Sequence, residues 1–265
     1  IHPAENKISA SQSIQDFDLP KRAFIPVGQA LGAPSKPLVK KGDQVKTGQL
    51  IAQGEAFISA NVHSSVSGKV FKVDDAIDSS GYKRKTIIID VDGDEWMPEI
   101  DQSPGLVRDI KMGPEEIIEK VKEAGIVGLG GATFPSHVKL MVPKGKTVDT
   151  LIINGVECEP YLTVDHRLML EWGEGMLVGI QLLMKALKVE KAIIGIENNK
   201  KDAIEHLNKL ISEKGYDGIY AQGLKVKYPQ GGEKQLIKAL INREVPSGKL
   251  PLDVGCVVNN VGTAF

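Results

Sequence analysis

The sequence "DTLIING" at residues 149–155 is an apolar run of strand length that ends in an Asn-Gly turn. A largely apolar helical segment follows at residues 176–187, and the alternation of strand and helix then repeats. Further strands are predicted at residues 191–196, 224–228 and 255–261, with helices at residues 200–214 and 232–243. Because these strands are apolar without a polar alternation, the pattern predicts a parallel α/β sheet with helices on both faces.

The sequence upstream has a different character. Residues 37–73 consist of short β-rich pieces separated by Gly-Asp and Ser-Gly turn signals, and residues 83–90 predict one more strand. Two related halves, at residues 39–51 and 62–70, resemble the barrel-sandwich hybrid of biotinyl and lipoyl domains. The tip between the halves contains no lysine, so no modified lysine is expected. We therefore predict two domains, a β-rich barrel-sandwich hybrid at residues 1–100 and an α/β domain at residues 101–265.

Composition excludes several classes of function. The 33 basic and 34 acidic residues give a net charge of −1, which argues against a general nucleic-acid-binding surface. The two cysteines, Cys158 and Cys256, are too few for a disulfide framework or a four-cysteine metal site. Since no apolar run reaches the roughly 18 residues that a membrane span needs, any membrane association is expected to depend on a partner.

The sequence "GLGGATFPSHVK" at residues 128–139 is a glycine-rich loop of an unusual kind. It follows a predicted helix that starts near Pro114 and has Gly125 as its C-cap, whereas a dinucleotide fingerprint follows a strand. Thr133 also occupies the position of the third glycine of that fingerprint. The loop is not a P-loop either, because Leu140 stands where the first glycine before Gly145-Lys146-Thr147 would have to be.

Three of the predicted strands end in polar or glycine clusters, at residues 154–157, 228–233 and 259–260. Ligands of open α/β sheets lie outside the carboxyl ends of the strands, so we expect these clusters and the glycine loop to converge. Backbone N–H groups at small residues, together with Lys139, favour an anionic group. Asparagine side chains offer both donors and acceptors to a heterocycle. The pattern therefore predicts a phosphorylated planar cofactor.

Five motifs in this order resemble one family: "IHPAENK", "GLGGATFPSHVK", "NGVECEPYLTVDHR", "YPQGGEKQLI" and "VVNNVGTAF". They are similar to the RnfC component of the Rnf ion-translocating electron-transport complex, and more distantly to the flavoprotein component of respiratory complex I. The resemblance covers almost the whole chain. It implies a non-covalent FMN that NADH reduces and that passes electrons to iron–sulfur clusters.

The resemblance also implies which residues bind these ligands. For FMN they are Gly128, Gly130, Lys139, Asn154, Glu157, Tyr228, Gly231, Glu233, Asn259 and Asn260. For NADH they are Phe134, Glu159 and Lys249. No catalytic side chain and no metal ligand is expected, because the redox chemistry belongs to the flavin.

The chain departs from the family in lacking the two cysteine-rich [4Fe–4S] motifs. The resemblance therefore implies an N-terminal fragment that holds the flavin and nucleotide region, with the clusters downstream, and that is inactive in full electron transfer.

The function implied is that of an NADH-oxidising subunit of a membrane-bound, ion-translocating oxidoreductase complex. It would exchange electrons with ferredoxin through other subunits, as a peripheral component on the cytoplasmic face of the bacterial membrane. Two alternatives remain open, a cobalamin reductase of bacterial microcompartments and a non-catalytic docking subunit.

Overall fold

The computed structural model describes residues 4–265, which form two compact units. The antiparallel unit comprises Asp16–Gly105 and Glu119–Val138. The parallel-sheet unit comprises residues 4–15, Leu106–Ile118 and Lys139–Phe265. Each unit is built from more than one segment of the chain, and the division into sequence domains 1–100 and 101–265 stays a prediction.

The antiparallel unit contains seven strands in its described part. They are β1 (Arg22–Pro26), β2 (Lys36–Pro37), β3 (Gln44–Val45), β4 (Leu50–Gln53), β5 (Val62–His63), β6 (Gly68–Ile77) and β7 (Lys83–Val91). One sheet has the order β1-β7-β6-β3 and the other the order β2-β4-β5, with all neighbours antiparallel. Ile87 and Ile89 of β7 and Val70 of β6 share one buried cluster with Ile51 and Val62 of the second sheet. The two sheets therefore enclose a common core, as predicted for this region.

Helix α1 (Pro114–Glu123) precedes the glycine-rich loop, and a second short helix, α2 (Ser136–Leu140), begins within its last residues. Glu115 and Glu116 lie in the first turn of α1, where the positive end of the helix dipole favours acidic side chains. Gly125 has a φ of +67°, and the amide of Ile126 donates to the carbonyl of Val121. This is the Schellman arrangement, so the predicted glycine C-cap is confirmed.

The parallel-sheet unit alternates strands and helices as predicted. Its strands are β8 (Thr150–Gly155), β9 (Ala192–Glu197), β10 (Ile219–Leu224) and β11 (Cys256–Asn260). Its helices are α3 (Val164–Glu171), α4 (Gly173–Leu187), α5 (Lys201–Lys214), α6 (Glu233–Ile241) and α7 (Val261–Ala264), with a 3-10 helix at Pro251–Val254. The sheet has the order β10-β9-β8-β11, and all its strands are parallel. The predicted fold class is thus confirmed.

Helices cover both faces of this sheet. Leu236 and Ile237 of α6 share a buried cluster with Ile152 of β8 and Val258 of β11. Successive side chains of a strand point to opposite faces, so Leu151 of β8 faces the other side, where α4 packs on this strand. The central strand β8 is consequently buried on both faces, which explains its continuous apolar sequence.

The prediction of a strand at residues 224–228 is wrong. Strand β10 lies earlier in the sequence, with Ile219 opposite Ala192 and Leu224 opposite Glu197. It is an edge strand in which Ile219 and Leu224 are the buried residues, so its apolar signal is weak. The alternation that follows Leu224 belongs to a loop that leaves the sheet.

Candidate functional site

The parallel-sheet unit has one point at which the strand order reverses. The chain runs from β8 outward to β9 and β10 and then returns to place β11 on the other side of β8. Ligands of open parallel sheets bind outside the carboxyl ends of the strands at such a point. Here it lies between Asn154 of β8 and Asn260 of β11, which are register partners.

Asn154 connects this point to the turn that precedes α6. Its Nδ2 donates to the carbonyl oxygen of Gly231 at 2.9 Å, and its Oδ1 accepts from the amide of Val156 at 3.2 Å. Its own carbonyl accepts from Nδ2 of Asn260 at 3.3 Å. The structure therefore brings together three of the predicted flavin-binding residues, Asn154, Gly231 and Asn260.

The two asparagines of β11 have different environments. Oδ1 of Asn260 accepts from the amide of Gly262 at 2.8 Å and caps α7, while its Nδ2 donates to Asp165 at 2.7 Å. Asn259 is 3 % exposed, and its Nδ2 has no hydrogen-bond partner among residues 4–265. Because a buried amide without a partner costs about 1–3 kcal/mol, it is a donor available to a ligand.

Lys139 lies beside the same strand end. Its Nζ donates to the carbonyl of Val258 at 2.9 Å and lies 3.5 Å from the carboxylate of Glu233, in the first turn of α6. Gln230, in the turn before α6, is 2 % exposed, and within the described chain its Oε1 has no partner. The region thus holds an ammonium group, an unpaired amide donor and an unpaired amide acceptor.

Glu157 has a structural partner of its own. Its backbone has a φ of +50°, and its carboxylate accepts from the amide of Asp165 at 2.7 Å and from that of His166 at 3.4 Å. The carboxylate therefore caps the positive end of α3. The sequence analysis assigned Glu157 to the flavin and did not identify it as the cap of this helix.

The two residues of this unit that were predicted for NADH, Glu159 and Lys249, have different partners. The hydroxyl of Tyr228 is hydrogen-bonded to the carboxylate of Glu159, which raises the pKa of the tyrosine. Lys249 lies in a turn, where its amide donates to the carbonyl of Pro246. The pKa of Asp253 is lowered mainly by its hydrogen bond from Lys146, and the charge of Lys249 adds to this effect. Lys249 thus contacts the segment that precedes β11.

Buried charges at the strand ends were missed by the sequence analysis. Glu197, the last residue of β9, is 1 % exposed, and Lys200 is 2 % exposed. Nζ of Lys200 donates to the carbonyl of Val156 at 2.8 Å and lies 3.9 Å from the carboxylate of Glu197. Burial raises the pKa of Glu197 and lowers that of Lys200. An acidic residue directly after the run "AIIGI" is the signal that could have revealed the pair.

Asp165 is a third perturbed group in this region. Burial raises its pKa to about 6, while the hydrogen bond from Asn260 acts in the opposite direction. A carboxyl group with a raised pKa therefore lies at the switch point, within hydrogen-bond distance of Asn260, a predicted ligand residue.

Residues 128–138 of the glycine-rich loop belong to the antiparallel unit, where residues 128–134 form a turn. Val127 pairs with Pro135 in a β-bridge, and the amide of Gly128 donates to the carbonyl of Phe134 at 2.9 Å. Gly130 is exposed at the tip of this turn, and Phe134 is half-buried. Thr133 has a φ of +48°, a conformation uncommon for a residue other than glycine. The loop therefore has a defined backbone, with an exposed glycine at its tip.

Residues 4–265 contain neither a membrane-spanning helix nor a cluster of metal-binding side chains. No helix of residues 4–265 combines the length and the apolar character needed to cross a bilayer. Within the same range, no group of three or more His, Cys, Asp or Glu side chains is arranged to hold a metal ion.

Comparisons with protein families match both halves of the chain. Residues 121–265 match the Nuo51 FMN-binding domain, and residues 1–94 match the RnfC barrel sandwich hybrid domain. A solved structure of an NAD+-reducing [NiFe]-hydrogenase in the air-oxidised state is similar over 57% of this chain and 29% of that one, with a TM-score of 0.51 and 25% identity.

Curated relatives align with the whole chain. The homologous component of the proton-translocating ferredoxin:NAD(+) oxidoreductase complex of Clostridium ljungdahlii is 50% identical, and this chain covers 57% of it. The homologous component of the Na(+)-translocating complex of Acetobacterium woodii is 47% identical, with 59% covered. The chain thus spans less than two thirds of these relatives, and the predicted resemblance to the RnfC component is confirmed. The chain belongs to the family of the Nuo51 FMN-binding domain, here preceded by an RnfC barrel sandwich hybrid domain.

Proposed function

We propose that the chain binds FMN at the carboxyl ends of β8 and β11 and acts as the NADH-oxidising part of an ion-translocating ferredoxin:NAD(+) oxidoreductase. The observation that carries this proposal is the unpaired, buried Nδ2 of Asn259 at the point where the strand order reverses. The two relatives are components of ion-translocating ferredoxin:NAD(+) oxidoreductase complexes, which supports a complex of this type for the chain. Peripheral attachment to the cytoplasmic face of the membrane, through other subunits, is part of the same proposal.

The residues present fit a flavin mononucleotide. An isoalloxazine edge has alternating N–H and C=O groups, which the free donor of Asn259 and the free acceptor of Gln230 complement. Lys139 supplies a positive charge for the phosphate, beside the N-terminus of α6. When bound, FMN supplies a hydride acceptor that can release electrons one at a time.

In this proposal, the residues of the chain bind FMN and the dinucleotide and fix their orientation. Asn154 fixes the turn at Gly231 against the end of β8, so that the backbone of this turn is held in place for a ligand. Glu159 is proposed as a contact of the dinucleotide, together with Phe134 and Lys249, and Tyr228 as a contact of the flavin, all four from the family resemblance. Downstream transfer to ferredoxin needs iron–sulfur clusters that two cysteines cannot hold. Ferredoxin reduction is therefore proposed only for the longer protein.

The Asn259→Leu variant tests the site. Removal of the unpaired amide should leave the melting temperature of the flavin-free protein nearly unchanged, because the amide donor has no protein partner to lose. FMN affinity, measured by quenching of flavin fluorescence, should fall about tenfold or more, as expected for one buried hydrogen bond. Asn208→Leu, an exposed change on α5, is the control.

Anaerobic titration with NADH completes this experiment. Wild-type protein with one equivalent of FMN should lose its long-wavelength flavin absorbance, and added ferredoxin should stay oxidised. Protein that does not take up FMN at all would contradict the proposal and favour the docking-subunit alternative. FMN uptake without bleaching by NADH would contradict its nucleotide part alone.

The Gly130→Val variant tests the glycine-rich loop separately. The assignment of Gly130 to the flavin rests on the family resemblance, and a close backbone approach requires a residue without a side chain. FMN affinity should fall at least about tenfold, with a melting temperature close to that of wild type because Gly130 is exposed. Gly105→Val, at a position with open space around it, is the control. Unchanged FMN affinity in Gly130→Val would remove the loop from the site.

A further inference from the structure

The loop that follows β8 is bound by a segment that lies about 150 residues earlier in the sequence. We call residues 5–14 the N-terminal strap and residues 157–162 the acidic loop. Nζ of Lys7 donates to the carbonyl oxygens of Glu157 at 2.7 Å, of Glu159 at 2.7 Å and of Leu162 at 2.6 Å. An ammonium group has three donors, so all of them are used within this one loop.

Other contacts hold the strap next to α3. Oγ of Ser9 lies 2.7 Å from Oγ1 of Thr163, directly after the acidic loop. The amide of Ile14 donates to the carboxylate of Glu171, and Arg167 donates to the carbonyl of Ala10 at 3.2 Å. Lys7 is therefore fixed relative to the helix that the acidic loop precedes.

The acidic loop needs such a partner, because its backbone is not in its preferred conformation. Glu157 has a positive φ, which costs of the order of 1 kcal/mol or more for a residue other than glycine and persists only where the surroundings enforce it. The same loop presents the half-buried thiol of Cys158 and the carboxylate of Glu159 that contacts Tyr228. Its carbonyls at three positions converge on a single atom, Nζ of Lys7.

We propose that Lys7 is a positioning residue, which fixes the backbone of the acidic loop and thereby the side chains of Cys158 and Glu159. The consequence for nucleotide binding rests on the proposed function, whereas the effect on the loop itself does not. Only a lysine side chain can donate three hydrogen bonds from a single charged atom to these three carbonyl groups. Arginine carries the same charge but distributes its donors over a planar fork that cannot direct three of them from one atom.

The first experiment uses the flavin-free chain and measures the reaction of thiols with Ellman's reagent. Cys256 is fully buried, so the fast thiol is Cys158, and Cys158→Ser identifies its signal. Lys7→Met should increase the rate at Cys158 about tenfold, since the loop opens more often without its charged hydrogen bonds. Lys201→Met, an exposed change at the start of α5, should leave the rate unchanged.

Lys7→Arg separates geometry from charge. Its thiol rate should be closer to that of Lys7→Met than to that of wild type. A wild-type rate in Lys7→Arg would mean that the charge alone suffices and would overturn the geometric argument. Should Lys7→Met not fold, Lys7→Arg carries the test by itself. Equal rates in wild type, Lys7→Met and Lys7→Arg would overturn the proposal as a whole.

The second experiment concerns the ligand. In FMN-loaded protein, with ferricyanide as the electron acceptor that reoxidises the flavin, Lys7→Met should raise the KM for NADH about tenfold and change kcat less than about twofold, because a contact of the bound nucleotide is displaced while the flavin chemistry is retained. A variant that only lowered the melting temperature, with unchanged KM and thiol rate, would show a general structural role and contradict positioning. If wild-type protein takes up no FMN, the proposed function fails, and the thiol experiment still decides the role of Lys7.

Discussion

Replacing Lys200 with methionine should lower the free energy of unfolding by about 3–5 kcal/mol near neutral pH, the range found when one partner of a buried ion pair is removed. Lys200 and Glu197 are almost completely buried, and the ammonium group also donates to the carbonyl of Val156. Methionine fills a similar volume but leaves the Glu197 carboxylate without its cation and the carbonyl of Val156 without this donor. Chemical denaturation followed by circular dichroism measures the loss.

The loss should depend on pH in a defined direction. Burial already raises the pKa of Glu197 above its ordinary value of 4.5, and removal of Lys200 raises it further. A carboxyl group with a raised pKa in the folded protein favours folding most when it is protonated, below its unfolded pKa. That contribution disappears as the pH rises through the folded pKa. Lys200→Met should therefore be most destabilised at pH 8 and should approach wild type as the pH falls toward 4.5.

A double variant provides the control for this pair. Glu197→Gln in the Lys200→Met background removes the buried charge and should recover at least half of the lost stability at pH 8. A single variant that is as stable as wild type at pH 8, or one whose deficit does not change with pH, would contradict a buried ion pair at the end of β9.

Gly179→Ala should also destabilise the parallel-sheet unit, by about 2–3 kcal/mol, the upper part of the range of about 1–3 kcal/mol that is typical of overfilling a packed interior. A Cβ atom at Gly179 of α4 would overlap the carbonyl oxygen of Ala264, and this backbone atom cannot move without α7. The expected loss exceeds the gain in helix propensity of up to about 1 kcal/mol from glycine to alanine.

Gly175→Ala on the same helix is the matched control. Its Cβ would meet the ring of Phe265 at 3.1 Å, and this side chain is half exposed and can rotate away. The control receives the same gain in propensity, so the difference between the two melting curves isolates the contact with α7. Equal stabilities of Gly179→Ala and Gly175→Ala would show that α7 does not pack closely on α4 at this position. Asn260, a predicted FMN contact, caps α7, so a shift of α7 should also displace Asn260. FMN affinity should therefore fall in Gly179→Ala and stay unchanged in Gly175→Ala.

Among the strands of the parallel sheet, the sequence predicted the three whose burial is nearly complete and misplaced the one whose burial is partial. Strands β8, β9 and β11 are nearly continuous apolar runs, since helices cover both of their faces. Strand β10 is an edge strand with two buried residues, and the alternation just after it is the stronger pattern. The position of β10 at the edge of the sheet depends on distant parts of the chain, and this is why its local sequence did not reveal it.

The sequence predicted where in the fold the candidate site lies, but it did not predict which side-chain atoms are free to bind a ligand. The carboxyl-end rule located Asn154, Asn259 and Asn260, because strand ends are visible in the sequence. It could not show that the amide of Asn260 is occupied by Asp165 and the cap of α7 while that of Asn259 has a free donor. Such differences arise from side-chain packing and have no signature in the spacing of residues.

The contact of Lys7 with the carbonyl of Glu157 joins residues that are 150 positions apart in the chain. During synthesis, the strap emerges from the ribosome long before the loop that it binds, so it has no partner while the antiparallel unit is being made. Contacts of such large sequence separation form late, because the chain must close a long loop before they contribute. The strap is therefore expected to become ordered among the last steps of folding, and its order reports that the parallel-sheet unit is complete.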